Sequence, residues 1–267
     1  MVAPLRAVAG IGRVAIGLGA VLGSFLRQVT AIFELLWKVV TRLPLAYKNI
    51  GISIEQMFSI GITSVPLVSV IALFVGSVTV TQAVYQFSGF VPLRYLGLAV
   101  CKVLSTELAP VITAMVVSGR ITTAIAAEIG SMKTTEQLDA MTILSLDPIR
   151  YLIVPKAIAC VIMLPVLVTW AELLGFFGSI ITVVVSVDMT LYSYLAGLRM
   201  FFRTIDVVVG VGKTAVFGAI IALVGSYFGY RTKGGAEGVG SATTKAVMLS
   251  SVLILVFDFI ITFMVLR

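Results

Sequence analysis

Long apolar stretches occupy most of this 267-residue chain, and they constrain its fold more than any other feature. Hydrophobic residues make up 60% of the chain and charged residues 12%, against about 45–50% and about 25% in soluble domains. Folded in water, such a chain would expose large apolar patches, which soluble monomers avoid. Because a helix needs about 20 apolar residues to cross a bilayer, the length accommodates about five or six spans and no sizeable soluble domain.

Five of the apolar stretches are long enough to cross a bilayer. They cover approximately residues 58–85, 95–129, 151–185, 205–230 and 242–267. Pro66 predicts a kink in the first span, and Pro165 predicts a tilt or a break in the third. Between spans, 188–203 is expected to be an exposed loop or short helix, and 234–240 a flexible cytoplasmic loop. The predicted fold class is an all-α polytopic membrane protein with about five transmembrane helices.

The N-terminal region, 1–54, is basic and amphipathic rather than uniformly apolar. Apolar residues over 25–43 recur at steps of three and four, which is typical of a helix lying in the membrane interface. We therefore divide the chain into an interfacial helix region, 1–54, and a transmembrane domain, 55–267. A cleaved signal peptide is the alternative for 14–26, but Arg27 follows where a cleavage site of small residues should be.

The distribution of Lys and Arg sets the expected orientation, since cytoplasmic flanks carry the excess of basic residues. With a cytoplasmic N-terminus, most of the 19 Lys and Arg residues lie on the cytoplasmic side. The other side then holds only Arg94, Lys102, Arg199, Arg203, Lys213 and Arg267. An odd number of spans places the C-terminus on the side opposite to the N-terminus.

Composition excludes several kinds of site. Histidine is absent, which removes the usual general base and the commonest metal ligand, and no metal site is predicted. Cys101 and Cys160 lack a CxxC spacing and are expected to be inert buried residues. No basic run with interleaved aromatic residues indicates nucleic-acid binding. The segment Val209-Gly-Val-Gly-Lys-Thr214 lacks the first glycine of a phosphate-binding loop, so this chain is not expected to hydrolyse ATP.

Four ionisable residues lie inside apolar stretches, where each costs about 2.5–3.5 kcal/mol at a helix centre. They are Glu107, Glu172, Lys213 and Asp258. Lys213 and Asp258 lie on antiparallel spans, and Glu107 is expected at a similar depth in the outer half of the membrane. A cluster of these three residues would either anchor a substrate cavity or join the helices through a salt bridge. Glu172 has no obvious partner.

A stripe of small residues runs along the second span at four-residue steps. Its members are Ser118, Thr122, Ala126 and Gly130. Small residues at this spacing let helix backbones approach closely. We therefore expect the stripe to pack against neighbouring helices and the second span to be central in the bundle.

The most specific motifs begin within the second span and continue beyond it. They read Glu107-Leu-Ala-Pro110, Ser118-Gly-Arg120, Ala127-Glu-Ile-Gly-Ser-Met-Lys-Thr-Thr-Glu-Gln-Leu-Asp-Ala-Met141 and Asp147-Pro148. Gly229-Tyr230, Ala242-Thr-Thr-Lys245 and Asp258-Phe259 extend the pattern to the last two spans. Together they closely resemble the MlaE/YrbE permease family, the membrane subunits of ABC transporters that work with MCE-domain proteins to move lipids. The resemblance covers about residues 20–267.

The resemblance implies a permease subunit that works in a larger assembly in a bacterial inner membrane. It implies a homodimer around an outward-open phospholipid cavity, a cytoplasmic ABC ATPase, and an MCE-domain protein on the far side. ATP and magnesium would bind the ATPase, so the chain itself is expected to need no cofactor and to carry no catalytic residue. A coupling helix at about 131–147 would seat in the ATPase. Its expected contact residues are Glu128, Lys133, Glu136 and Asp139.

The resemblance also concerns the lipid cavity. Polar residues at or near that cavity in the family match Glu107, Lys213 and Asp258. Thr106 departs from the family pattern, because the best-known bacterial members have an arginine there, and lipid head groups are expected to be handled differently. The candidates for an acyl-chain wall are the first-span residues Val68, Ala72, Val75, Val80 and Tyr85.

Three other functions stay open at the level of the sequence. Sterols or fatty acids could replace phospholipids, since actinobacterial members of the same family take up such molecules. A secondary transporter could couple protonation of Glu107 or Asp258 to transport, although no internal repeat of the kind found in many such proteins is visible. A scaffold that holds an MCE protein at the membrane is the third alternative.

Overall fold

The computed structural model describes Gly23 and residues 27–44, 50–87, 92–187, 189–200 and 203–266, which contain helices and short turns but no strand. Five helical segments of this part of the chain are long and apolar enough to cross a membrane. They are Val65–Phe87, Leu96–Thr134, Ile149–Ser186, Thr204–Tyr230 and Gly235–Val265. The predicted all-α polytopic fold is therefore confirmed.

The helices are labelled in chain order. They are α1 (27–42), α2 (Ile50–Ile62), α3 (Val65–Phe87), α4 (Leu96–Val103), α5 (Ala109–Thr134), α6 (Gln137–Ile143), α7 (Val154–Ser186), α8 (Leu191–Met200), α9 (Thr204–Tyr230) and α10 (Gly235–Leu266). A π-helix at Leu104–Leu108 joins α4 to α5, and a second π-helix at Ile149–Ile153 leads into α7. A 3₁₀ turn at Leu93–Tyr95 precedes α4.

The first span begins later than predicted, because a turn at Thr63 and Ser64 separates α2 from α3. Arg120 of α5 donates hydrogen bonds to the side chains of both turn residues, at 2.7 Å for Ser64 Oγ. Pro66 is the second residue of α3, where its missing N–H removes no helical hydrogen bond. The predicted kink at Pro66 thus takes the form of a break between α2 and α3, just before the proline.

Two further predictions of irregular structure are corrected. Pro165 lies inside α7, which continues from Val154 to Ser186, so the alternative of a break there is wrong. The glycine-rich segment predicted as a loop is mostly helical, because α10 begins at Gly235. Only Gly234 and Gly235 carry the positive φ angles, 89° and 69°, that this turn requires. Between the third and fourth spans, the short-helix alternative holds, since α8 lies there.

The helices form a central group and a peripheral group. In the second, third and fourth spans, 50–56% of an apolar 18-residue stretch is buried within the chain, whereas the share is 22% in the first and fifth spans, α3 and α10. The small-residue stripe lies in the buried part of α5, and Ser118 Oγ is 2.7 Å from Ser250 Oγ of α10. At the end of the stripe, Gly130 faces Thr232 at the C-terminal end of α9. The second span is thus central.

Helices α3 and α7 touch through their backbones at a glycine seam, which we define as Gly76, Gly175 and Gly178. A Cβ atom added at Gly76 would overlap the carbonyl oxygen of Gly175, and one at Gly178 would overlap the carbonyl oxygen of Leu73. Ser77 Oγ also donates a hydrogen bond of 3.2 Å to the Gly178 carbonyl across the seam. Small residues make this close approach possible without a cavity.

Candidate functional site

The structure brings together the three intramembrane residues that the sequence placed at similar depth. Lys213 Nζ of α9 lies 3.1 Å from Glu107 Oε2 in the π-helix and 2.6 Å from Asp258 Oδ1 of α10. The lysine side chain is 1% exposed, the aspartate side chain 15% and the glutamate side chain 35%. Three separate segments of the chain thus contribute to one polar cluster, with Lys213 inside and Glu107 closest to the surface.

Thr262 is a fourth member of the cluster, and the sequence analysis missed it. Its hydroxyl donates a hydrogen bond of 3.0 Å to Glu107 Oε1 and lies 3.4 Å from Lys213 Nζ. The residue follows Asp258 by four positions on α10, and residues at this spacing share one helix face. That spacing was the available signal. We define the polar cluster as Glu107, Lys213, Asp258 and Thr262.

The π-helix positions Glu107. Two other residues of the π-helix pack against neighbouring helices: Leu104 contacts Gly175 of α7, and the Ser105 carbonyl approaches Gly210 of α9. One extra residue in a turn changes which side chains face a given neighbour, and π-helices of a single turn occur frequently at functional sites. Pro110 offers the only sequence signal, because its missing N–H leaves the Thr106 carbonyl without its α-helical partner.

The composition of the polar cluster follows from the burial of Lys213. A buried ammonium group is costly unless charged and polar partners replace its hydration. Here two carboxylates and one hydroxyl surround Nζ, at 2.6–3.4 Å. The cluster therefore satisfies its own central charge, and it leaves a partly exposed carboxylate at its edge.

The predicted acyl-chain wall does not form one open surface. Val68, Ala72 and Val80 are at most 6% exposed and pack into the protein interior. Val75 is half-buried and borders a void of about 10 Å³ between α3, α5 and α7, whereas Tyr85 is exposed. In this conformation three of the five candidates are core residues, because α3 uses the same apolar side chains to pack against other helices. The prediction of a common wall is not supported by their positions.

The predicted coupling segment, 131–147, consists of the last turn of α5, helix α6 and the turn that follows it. Lys133 Nζ lies 2.9 Å from Asp139 Oδ1, which ties α6 to the end of α5. Glu136 and Ser145, on either side of α6, have φ angles of 60° and 59°. Such left-handed backbone is uncommon for residues other than glycine. Asp147 closes the segment by pairing with Arg42 of α1.

Glu128 differs from the other predicted coupling residues because its carboxylate is engaged within the chain. Its oxygens lie 2.8 and 2.9 Å from Lys156 Nζ of α7. Lys156 also donates a hydrogen bond of 3.1 Å to Gln56 Oε1 of α2. The lysine side chain is 3% exposed and that of Glu128 is 51% exposed. Lys156 therefore joins α2, α5 and α7 with Glu128 as its partner on α5, whereas Lys133, Glu136 and Asp139 border or lie on α6.

Glu172 is a second buried carboxyl group, outside the polar cluster. The residue is 5% exposed in α7, and its Oε1 atom has no hydrogen-bond partner among the described residues. The thiols of Cys101 and Cys160 are free and buried. No group of three or more potential metal ligands was found in the described segments.

Comparison with known proteins places this geometry in a family. The family model described as permease MlaE matches residues 53–264. A probable ABC transporter permease protein of Rickettsia bellii is 38% identical over 253 residues, covering 94% of this chain and 95% of that protein. A probable ABC transporter permease protein of Synechocystis sp. is 36% identical over 248 residues, covering 91% and 92%.

A plant protein is also similar. Protein TRIGALACTOSYLDIACYLGLYCEROL 1, chloroplastic, of Arabidopsis thaliana is 35% identical over 210 residues, covering 79% of this chain and 60% of that protein. The family match spans the polar cluster, the coupling segment and all five spans. This multi-pass membrane protein therefore belongs to the MlaE permease family.

Proposed function

We propose that the chain is the transmembrane permease subunit of an ABC transporter that moves phospholipids between a bacterial inner membrane and an MCE-domain partner. Permease membership implies a separate ATPase partner. In the proposed assembly the N-terminus is cytoplasmic, and two copies of the chain form a homodimer around a lipid cavity. The observation that carries the proposal is the polar cluster, whose charges lie between apolar membrane-spanning helices.

The polar cluster supports head-group binding. Charged residues within a membrane are expensive and commonly mark a substrate pathway. Glu107 is the most exposed of the three charged side chains, at 35%, so a head group can reach it. The acyl chains of the same lipid would contact apolar surfaces of neighbouring helices.

The coupling segment supports a connection to the ATPase. Helix α6 is held on α5 by the Lys133–Asp139 ion pair and is preceded by the exposed, left-handed Glu136. Residues kept in sparsely populated backbone conformations cluster at functional and switching sites. We therefore place the ATPase contact at Lys133, Glu136 and Asp139, and assign Glu128 to holding the segment on α7 through Lys156.

An energy source and an apolar path are both needed for this transport. A lipid that leaves the bilayer exposes its chains to water at about 0.8 kcal/mol per CH₂ group. ATP binding and hydrolysis in the partner subunit would supply the energy. The chain itself makes and breaks no covalent bond, so its residues bind and position the lipid and transmit the movement of the ATPase.

The proposal is tested by reconstituting the purified assembly in vesicles and measuring ATP-dependent transfer of a labelled phospholipid to the MCE-domain protein. Glu107→Gln, Lys213→Met and the double variant are compared. A shared cluster predicts that each single variant reduces transfer at least about tenfold and that the double variant is scarcely worse. Independent, additive losses would contradict the cluster.

A matched control is Glu172→Gln, which changes a buried carboxyl group outside the cluster. Its transfer rate is expected to stay within about twofold of the unmodified protein. Transport that requires a pH gradient but no ATP would overturn the proposal in favour of a secondary transporter. ATP-dependent transport of a sterol or fatty acid, without phospholipid, would change the substrate.

A further inference from the structure

The polar cluster directs its hydrogen-bond donors toward its own members and has acceptors left over. Lys213 has three N–H donors, and three acceptors surround its Nζ atom, Glu107 Oε2, Asp258 Oδ1 and Thr262 Oγ1. The Thr262 hydroxyl donates to Glu107 Oε1. Lys213 thus donates hydrogen bonds to Glu107 and Thr262, whereas Asp258 Oδ1, which is buried and accepts no hydrogen bond, faces the ammonium group as an ion pair at 2.6 Å.

The acceptors are in surplus. Two carboxylates offer about eight lone-pair positions, and hydrogen bonds within the cluster occupy two, at Glu107 Oε1 and Glu107 Oε2. With one ammonium group against two carboxylates, the formal charge of the cluster is negative. The group that extends furthest from the interior is the Glu107 carboxylate, while Lys213 is 1% exposed.

These observations determine which ligand chemistry fits. A phosphate group is an acceptor and an anion, so it would meet the exposed Glu107 carboxylate, while the Lys213 ammonium group is 1% exposed behind it. A primary ammonium group is a donor and a cation, so it would form charge-assisted hydrogen bonds with the unused carboxylate positions. A quaternary ammonium group carries the same charge but has no N–H to donate.

We propose that the polar cluster recognises the primary ammonium group of a zwitterionic phospholipid head group, such as phosphatidylethanolamine. Glu107 contacts the ammonium group, and Lys213 is a positioning residue that holds both carboxylates rather than a phosphate ligand. This inference rests on the proposed phospholipid function and adds the head-group class to it. Thr106 precedes Glu107 and adds no positive charge; its hydroxyl donates to the Lys102 carbonyl at 2.8 Å.

Lys102 is the closest cation to Glu107 along the chain. It is exposed in the last turn of α4, two residues before the π-helix, and no ion pair joins it to Glu107 in the described segments. An exposed lysine at that place suits the phosphate of the same zwitterionic head group. The ammonium group would then bind inward at Glu107, with the phosphate outward.

The experiment uses the full-length protein, purified in detergent and stripped of lipid. It is equilibrated with equal amounts of phosphatidylethanolamine, phosphatidylcholine and phosphatidylglycerol with identical acyl chains, and retained lipid is quantified by mass spectrometry. We expect phosphatidylethanolamine to be enriched about five- to tenfold over phosphatidylglycerol, as one charge-assisted hydrogen bond would give. Equal retention of the two lipids would overturn the inference.

Two variants assign the selectivity to the cluster. Glu107→Gln removes the exposed charge with little change of shape and should bring the enrichment to about one, because the cluster then has no net charge. Thr106→Arg adds a cation on the half-exposed neighbouring residue and should favour phosphatidylglycerol. Glu172→Gln is the control and should keep the enrichment of the unmodified protein. If Glu107→Gln misfolds, Thr106→Arg alone still decides, because an unchanged preference contradicts the proposal.

The head-group inference and the transport proposal fail in different ways. ATP-dependent transfer of both lipids at the same rate, with equal retention, would refute the head-group selectivity and leave the transport function standing. Selective retention that depends on Glu107, without ATP-dependent transfer, would support the ammonium site and refute the transporter. Retention of no phospholipid at all would refute both.

Discussion

Lys156 and Lys213 are both buried, and each is neutralised by carboxylates from other helices. The charged partners of Lys213 could be predicted, because charges within apolar spans are few and each needs a partner. Lys156 lies near a span end, and its sequence context did not distinguish a buried lysine from an ordinary basic flank. Lys156 is buried because α2 packs beside it, and the sequence around Lys156 does not indicate that contact.

The Lys156–Glu128 ion pair predicts that removing the carboxylate destabilises the protein more than removing the lysine. Glu128→Ala should lower the free energy of unfolding by about 1–3 kcal/mol, because it leaves a buried ammonium group with only the Gln56 oxygen. Lys156→Met should cost less, since it leaves a carboxylate that is 51% exposed and already hydrated. Thermal unfolding in detergent measures both variants. A larger loss for Lys156→Met would contradict this interpretation of the pair.

The left-handed backbone at Glu136 gives a second prediction. Glu136→Gly should stabilise the protein relative to Glu136→Ala by about 1 kcal/mol, because alanine keeps the Cβ clash at a φ of 60° and glycine removes it. Both variants lack the carboxylate, and both should reduce lipid transfer to a similar extent if that group contacts the ATPase. Thermal unfolding and ATP-dependent transfer separate the two effects. Equal stability of the two variants would show that the backbone there is unstrained.

At the scale of elements, the sequence predicted the existence of the spans far better than their ends. Hydropathy locates a span because bilayer thickness fixes its length. The ends depend on tertiary hydrogen bonds, as at Thr63 and Ser64, whose hydroxyls bind Arg120 from another helix. Likewise, Gly235 to Gly240 reads as a loop by composition but forms the start of α10, since packing overrides weak helix propensity.

The glycine seam gives a prediction at this scale. Gly76→Ala places a methyl group against the Gly175 backbone, so it must separate α3 from α7. We expect a loss of more than about 2 kcal/mol of stability, or failure to accumulate in the membrane. The matched control is Gly119→Ala on α5, where a Cβ has open space, and helix propensity should make it neutral or stabilising by up to about 1 kcal/mol. Similar behaviour of the two variants would contradict the seam.

At the scale of the whole molecule, the number and order of the spans could be read from the sequence, whereas the acyl-chain wall could not. An apolar side chain in a span has the same composition whether it faces lipid, a cavity or another helix. Val68 and Val80 proved to be core residues for this reason, and only the packing of α3 against other helices decided it. The polar cluster was predictable because its side chains are not interchangeable.

The topology is tested with single cysteines and a membrane-impermeant maleimide. Helix α6 lies between the second and third spans and α8 between the third and fourth, so they occupy opposite sides of the membrane. With a cytoplasmic N-terminus, Tyr192→Cys on α8 should be labelled in intact spheroplasts, and Gln137→Cys on α6 only after lysis. Cys101 and Cys160 are buried, so the unmodified protein serves as the blank. Labelling of both positions before lysis would contradict the five-span topology.

The close contact of α3 and α7 also limits how the bundle can change shape. Side chains between two helices can change rotamer and let the helices slide, but at the glycine seam backbone meets backbone and nothing is available to adjust. We therefore expect these two helices to move together. A motion that widens or narrows the membrane region is then expected in the other helices. Among the long helices other than α3 and α7, α10 has the smallest share of buried residues. It carries Asp258 and Thr262. A conformational change would in this way act directly on the polar cluster, altering its shape while α3 and α7 stay fixed to each other.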